Sequence, residues 1–346
     1  MKKNILSMTE SSLRDEMLVI GEKPYRGSQI YKWVNKGYHF SEMNNIPSDL
    51  IEKLSDDYTD GLLELTALKR SDDGTKKFLF RLEDGAFVEA VLMNYSFGSS
   101  VCISTQVGCP MGCRFCSSGI DGFERNLTPF EMFAEVIQVK READRDNQLT
   151  NIVLMGTGEP LLNYDNVLSF LHLVNDKSRL GIGMRNISLS TCGIVPNIKK
   201  LAREKLQLTL CLSLHAADDH KRKLLMPVAE QFSINETVSA VKEYSEYTGR
   251  RVTIEYIMIK DFNISRSDAD KLHDLFQDCN AHFNLIPYNP GGIGDFITPS
   301  KKEIYAFSEL LSKRNISNSV RRTLGSDIDG ACGQLRAKYK KEGIAD

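Results

Sequence analysis

The chain has 346 residues, 41% of them hydrophobic and 26% charged, with a formal net charge of −2. This length suits two domains or one α/β barrel with an appendage, and this balance suits a globular protein with a large core. No stretch approaches the roughly 18 consecutive apolar residues of a membrane helix, and the start "MKKNILSMTESSLRDEM" breaks its apolar run too early for a signal peptide.

A cytoplasmic location is therefore expected, with no membrane partner. There thiols stay reduced, and clustered cysteines point to metal or redox chemistry before disulfides. The overall charge neither demands nor excludes nucleic acid, so an RNA contact would need a local basic patch. Residues 10–57 predict short helices; "GEKPYRGSQIYKWVNKG" spaces Tyr25, Ile30, Tyr31 and Trp33 to bury one face, with Gly37 as a C-cap. Residues 66–95 alternate as strands around the turn signals "SDDGTKK" and "EDG". The clearest strand, "AFVEAVLM", places Glu89 among apolar neighbours, where a solvent-facing residue is the simplest reading.

From residue 100 the pattern repeats as strand, loop, amphipathic helix. The strands are "SVCIST", "NIVLMG", "NISLST", "LTLCLSLH", "VTIEYIMI" and "HFNLIPYN", with "SNSVRRTL" as a possible seventh. Helices are expected at 129–142, 164–175, 234–247 and 267–277. Alternating β and α units imply an α/β fold with a right-handed parallel sheet, open or curled into a barrel, whose ligands gather at the carboxyl ends of the strands. The chemically unusual residues fall there. Cys109, Cys113 and Cys116 follow the first strand, "GTGEP" the second and "STCG" the third; "SLH" ends the fourth and "YNPGG" the sixth.

"VGCPMGCRFCSSG" holds three cysteines in a Cys-x3-Cys-x2-Cys spacing. A structural zinc needs a fourth ligand, none lies at the usual spacing, and Cys102 sits within or at the end of the preceding strand. An iron–sulfur cluster held by three thiolates, with one iron left open, is the better fit; structural zinc or plain buried thiols are the alternatives. Among the remaining cysteines, Cys192 lies near the site, whereas Cys211 and Cys279 read as packing residues.

This motif, with an aromatic residue before its last cysteine and an α/β barrel around it, resembles the radical S-adenosylmethionine (SAM) enzymes. "CISTQVGCPMGCRFC", "MGTGEPLLNYDNV", "STCGIVPNI", "SLHAADDHKRKLLMP", "NLIPYNP" and "GSDIDGACGQLR" resemble, in that order, the RlmN/Cfr family of RNA methyltransferases, from about residue 20 to residue 338. The resemblance implies a partial (β/α)6 barrel with a small N-terminal helical and β accessory domain. It divides the chain into residues 1–94 (accessory, RNA contact), 95–327 (radical SAM core) and 328–346 (C-terminal segment with Cys332). It implies a [4Fe–4S] cluster on Cys109, Cys113 and Cys116, and SAM, two per turnover, held by Gly158, Glu159, Ser190, Ser213, Leu214, His215 and Asn289. Cys332 would take a methyl group from one SAM and carry it to the base. A radical made from the second SAM would activate that methyl for attack on an electron-poor adenine carbon. Glu89 would accept the C2 proton, and Cys102 would release the product through a transient disulfide with Cys332.

The implied substrates are adenosines of 23S rRNA and tRNA, with a flavodoxin or ferredoxin as reductant and a monomeric enzyme. C2 methylation is favoured by "NLIPYNP" and "STCGIVPNI". The alternatives are Cfr-type C8 methylation, which confers antibiotic resistance, and a non-catalytic iron–sulfur RNA-binding protein. One departure is Thr157, where the family usually has Met, with its effect on SAM or base packing left open. Basic candidates for RNA contact are Lys199, Lys200 and Arg203; Lys221, Arg222 and Lys223; Arg250 and Arg251; Arg321 and Arg322; and Arg336, Lys338, Lys340 and Lys341.

Overall fold

The computed structural model describes residues 2–143, 148–290, 294–322 and 324–328. The N-terminal part holds α1 (Glu10–Val19), α2 (Pro24–Val34) and α3 (Ser48–Asp57), tied by a short parallel pair, β1 (Lys3–Asn4) with β2 (Tyr58–Thr59). A Thr9–Ser12 capping box starts α1, and a proline opens α2, both standard entries to a helix. The two helices cross closely at Gly27, where a Cβ would stand 2.7 Å from the Leu13 carbonyl oxygen. Ile30 and Tyr31 are buried as expected, but Tyr25 stays about half exposed, with Arg26 over its ring.

One mixed sheet dominates the rest. Its antiparallel part runs through β3 (Glu64–Arg70), β4 (Lys76–Arg81), β5 (Phe87–Tyr95) and β6 (Gly98–Cys102). A separate hairpin follows, β7 (Gln106–Gly108) with β8 (Phe123–Asn126), and then α4 (Pro129–Ala143). The parallel part continues with β9 (Leu149–Leu154), α5 (Tyr164–Asn175), β10 (Ile187–Thr191), α6 (Val195–Arg203) and β11 (Thr209–Ser213). After it come α7 (Asp219–Leu225), α8 (Ile234–Thr248), β12 (Val252–Met258), α9 (Arg266–Phe276), β13 (Ala281–Pro287), α10 (Lys301–Ser312) and β14 (Asn318–Val320). Across the ten-stranded sheet the order is β14-β13-β12-β11-β10-β9-β6-β5-β4-β3. Every neighbour from β6 to β14 in this sheet is parallel, as the strand–loop–helix repeat predicts. Helices α8, α9 and α10 each begin at a reciprocal capping box, Ser233–Glu236, Ser265–Asp268 and Ser300–Glu303, which satisfies orphan N–H groups and punctuates the repeat.

Two boundaries differ from the sequence reading. The strand expected to run to Thr105 stops at Cys102, because Ile103 and Thr105 bond the glycine-rich turn instead: Gly156 N–H donates to the Ile103 carbonyl, and Thr105 N–H to that of Thr157. The strands expected in a separate accessory sheet are continuous with the barrel sheet through the β5–β6 hairpin, which spans the 94/95 boundary.

The sheet sorts its side chains by face. Ile152, Leu189, Leu210, Leu212, Ile254, Tyr256, Phe283 and Leu285 point outward and are buried in the core. Each fully buried aliphatic side chain contributes roughly 1.5–3 kcal/mol. The inward row follows from the register: Val91 opposite Cys102, Cys102 opposite Val153, Val153 opposite Ser188, Ser190 opposite Cys211, Ser213 opposite Glu255, and Glu255 opposite Asn284. This row is largely polar, so the lumen is built to receive something other than apolar packing.

Candidate active site

The cysteine loop is pinched shut at its base. It leaves β7 at Gly108, returns to β8 past Gly122, and Cys109 N–H donates to the Gly122 carbonyl at 3.0 Å. Inside it, Cys116 N–H donates to the Cys113 carbonyl, and Arg114 N–H ties the loop to the Leu225 carbonyl at the end of α7. Cys109, Cys113 and Cys116 thereby line one cavity of about 550 Å³ at the carboxyl ends of the strands.

The turn after β9 supplies the opposite wall. Gly158 lies at φ +111°, and its backbone passes so close to Thr105 and Gln106 that no Cβ fits. Glu159 is held at every polar atom of that passage. Its N–H donates to Gln106 Oε1 at 2.9 Å, its Oε1 accepts from Leu161 N–H at 3.0 Å, and its Oε2 accepts from Cys192 N–H at 2.8 Å. Burial raises the Glu159 pKa, and the hydrogen bonds led by the Cys192 N–H oppose that rise. The carboxylate is preorganised in a low-dielectric wall, where an ammonium partner would be strongly attracted.

Ser190 and Ser213 face each other across β10 and β11 with their hydroxyl oxygens 3.2 Å apart, and both line the cavity. His215 follows with a positive φ of +61°. Its Nδ1 accepts the Ile257 N–H at 3.1 Å, which requires a neutral ring with the proton on Nε2. Burial, with Arg222 adding to it, pushes its pKa down to about 3. The ring meets Phe115 edge-on at 4.7 Å between centroids, clamping the cysteine loop against β11. Asn289, after β13, lines the rim.

Of the remaining expected residues, Leu214 does not line the cavity: its side chain lies in the core, and its carbonyl accepts from Arg222 Nε and Ala216 N–H. Glu89 and Cys102 do not line it either, but both sit on the inward sheet face that Val91 and Met93 carry into the cavity. Glu89 is buried, with the fully buried Lys77 Nζ at 3.7 Å. Cys332 lies outside the described residues. Thr157 is buried off the cavity; its carbonyl takes the Thr105 and Gln106 N–H groups, so the departure from Met does not touch the cavity wall.

One expectation about charge is corrected. Arg222 is fully buried and is no RNA contact: α7, capped by Asp218, turns it inward, where Nη2 donates to the Cys192 carbonyl at 2.6 Å. Lys221 pairs with Asp268 and Lys223 with Glu230, while Lys199 and Lys200 pair with Glu243 and Asp165. Arg321 and Arg322 do line the cavity. Sequence reading missed Glu255, a buried cavity carboxyl held by Asn284 Nδ2 at 2.9 Å. The signal was present, a glutamate inside the apolar run "VTIEYIMI".

The residues present fit an iron–sulfur cluster. Among the described residues no group of three or more His, Cys, Asp or Glu converges as a single metal ion requires, whereas cluster thiolates each bind a different iron. Burial pushes the Cys109 thiol up to about 12, with the charge of Cys116 adding to it, and the Cys113 thiol rises for the same reasons. The loop therefore needs a cation to hold thiolates. Beneath it lies Arg222, whose Nη1 has no hydrogen-bond partner among the described residues and whose charge acts on Cys113. An unsatisfied buried guanidinium suits the net negative charge of a three-thiolate cluster.

Comparison with known proteins agrees. The radical SAM superfamily model matches residues 103–272, and that of the ribosomal RNA large subunit methyltransferase N-terminal domain matches residues 3–59. A probable dual-specificity RNA methyltransferase RlmN of Clostridium acetobutylicum is 44% identical over 341 residues, covering 98% of both chains. The corresponding protein of Clostridioides difficile is 46% identical, covering 98% of this chain and 99% of its own. The crystal structure of a radical SAM methyltransferase from Sphaerobacter thermophilus matches with a TM-score of 0.89 at 38% identity, over 96% of this chain and 98% of that one. The chain belongs to the RlmN family of radical SAM RNA methyltransferases, which work with a [4Fe–4S] cluster and SAM.

Proposed function

We propose that this enzyme methylates C2 of adenosine in the peptidyl-transferase centre of 23S rRNA and in tRNAs, through an S-methylcysteine at Cys332. The observation that carries the reading is the shared inward face: Glu89 and Cys102 occupy the row that opens into the cavity holding the three cysteines, Glu159 and His215.

When bound at Cys109, Cys113 and Cys116, the cluster supplies one-electron cleavage of SAM, the radical chemistry that an electron-poor C2 requires. The chain's own groups do the rest. Glu159 receives the SAM ammonium, and Ser190, Ser213, the neutral His215 Nε2–H and Asn289 orient the cofactor. The Cys332 sulfur takes the methyl carbon of SAM, releasing S-adenosylhomocysteine and the thiol proton. After C–C bond formation and loss of one electron, Glu89 accepts the C2 proton. The Cys102 thiolate then attacks the Cys332 sulfur: the carbon–sulfur bond breaks, the released carbon keeps the electron pair and takes up a proton to complete the methyl group, and a Cys102–Cys332 disulfide is left for external reduction.

In this reading residues 1–94 contact RNA, 95–327 form the core and 328–346 carry Cys332. The enzyme acts as a cytoplasmic monomer with a flavodoxin or ferredoxin as electron donor. Among the described residues no helix is long and apolar enough to cross a membrane. Mass-spectrometric mapping of rRNA and tRNA from a deletion strain tests the assignment: loss of 2-methyladenosine is expected, and loss of 8-methyladenosine instead overturns it.

A further inference from the structure

The turn between β3 and β4, far from the cysteine loop in sequence, grips the chain just ahead of Cys332. Asp73 Oδ2 accepts the Gly325 N–H at 2.7 Å, while its Oδ1 accepts the Thr75 N–H of its own turn at 2.9 Å. The contact is returned five residues before Cys332: Asp327 accepts from the Ser71 hydroxyl and, through Oδ2, from the Asp72 N–H at 3.1 Å. Gly325 itself lies at φ +64° against Thr75, so close that a Cβ would stand 3.0 Å from Thr75 Cγ2. Burial alone would raise the Asp73 carboxyl, but the hydrogen bonds led by the Gly325 N–H bring it down to about 2. Thr75 and Leu324 both line the cavity that holds the three cysteines, so the grip sits at its rim.

We propose that Asp73 and Asp327 are positioning residues: they form a clasp that fixes residues 325–327 at the cavity rim and so shortens the tether to the Cys332 thiol. The proposal rests on the reading of Cys332 as methyl carrier. Cys332 is five residues past Asp327, the last residue of the clasp, a stretch that reaches at most about 18 Å. Without the clasp, the preceding anchor is the Arg321 N–H on the Leu285 carbonyl at 2.8 Å, eleven residues before Cys332. Effective concentration falls with roughly the −3/2 power of tether length, so lengthening from five residues to eleven lowers it about threefold.

The test uses the reconstituted full-length enzyme with SAM under reducing anaerobic conditions. Peptide mass spectrometry follows methylation of Cys332, equilibrium dialysis gives SAM affinity, and hydrogen exchange reads the Gly325 and Asp72 amides. The double variant Asp73→Ala/Asp327→Ala should methylate Cys332 about threefold more slowly, with SAM affinity retained and both amides deprotected. Asp327→Asn, which keeps an acceptor oxygen, should restore most of the rate lost in Asp327→Ala. Ser71→Ala serves as a milder variant should the double one fold poorly. Equal methylation rates in wild type and variants overturn the clasp while leaving the carrier reading intact. Unprotected Gly325 and Asp72 amides in the wild type overturn it as well. A wild-type enzyme that never gains a methyl group on Cys332 overturns the carrier reading itself, and the clasp's purpose with it.

Discussion

Replacing Gly158 by alanine tests whether the glycine-rich turn is shaped by its neighbours or only permitted by them. The residue lies at φ +111°, and an added Cβ would stand 2.7 Å from Gln106 Cβ and 2.8 Å from both Gln106 Cγ and Thr105 Oγ1. The backbone conformation costs an L-residue about 1–3 kcal/mol, and overpacking a tight site adds about 1–3 kcal/mol. The expected loss of about 2–6 kcal/mol is a large share of the roughly 5–15 kcal/mol that holds a domain folded. Relief of the clash must displace Gln106, whose Oε1 holds the Glu159 N–H and whose Nε2 donates to Asn126 Oδ1 at 2.8 Å. Strain therefore passes directly to the carboxylate assigned to the SAM ammonium. Urea denaturation should show a lower midpoint, and equilibrium dialysis at least about a tenfold weaker SAM affinity, the equivalent of 1.4 kcal/mol. Gly183→Ala is the control, since nothing lies within 4 Å of its added Cβ and its φ is −63°. A Gly158→Ala enzyme with wild-type midpoint and wild-type SAM affinity would refute the reasoning.

Three further outcomes are expected. Glu135 is fully buried on α4, and burial raises its pKa well above the usual carboxyl value, with the Ser104 N–H opposing. The folded state thus holds a proton that the unfolded chain releases above about 4.5, so stability falls as pH rises from there toward the folded pKa. Glu135→Gln, which keeps an acceptor for the Ser104 N–H, should flatten that slope in denaturation midpoints taken from pH 5 to 8. An unchanged slope would contradict it. Arg222→Met removes the donor to the Cys192 carbonyl and the cation beside Cys113. It should cost about 1–3 kcal/mol in thermal unfolding of the apoprotein and lower the iron retained after reconstitution; full iron content would show that the cluster does not need that charge. Thr157→Met should leave SAM affinity unchanged, because the side chain does not line the cavity; weakened binding by dialysis would count against that placement.

The parallel repeat was legible because its signals are local. Each strand from "NIVLMG" to "HFNLIPYN" is a short apolar run, each helix after it has a 3.6-residue pattern, and the odd residues fall at the carboxyl ends where such folds bind ligands. The three-cysteine loop, Gly158, Glu159, Ser190, Ser213, His215 and Asn289 line one cavity for that reason. Arg222 was misread because a basic run "HKRK" on a helix carries no mark of which member turns inward. Burial there depends on the Cys192 and Leu214 carbonyls, which arrive from other strand ends. Leu214 was misplaced for the converse reason, since adjacent residues at a strand end face opposite sides. The continuity of β3–β5 with the barrel sheet was hidden because a hairpin signal says that two strands pair, not which sheet they join.

That continuity gives Glu89 its place. A glutamate in "AFVEAVLM" is most simply a solvent-facing strand residue, and on an isolated hairpin it would be one. Antiparallel pairing of β5 with β6 instead extends the barrel's inner face, so the alternation that carries Val91 and Met93 to the cavity also carries Glu89 inward. An ion buried this way is tolerated only with a partner, and Lys77 on the neighbouring strand supplies one from a position with no exposure at all. The same register sets Cys102 opposite Val91 on that face. A carboxylate and a thiol separated by a turn in sequence thus share one inner wall. The apolar outer face beneath the helices carries the stability that a polar lumen cannot.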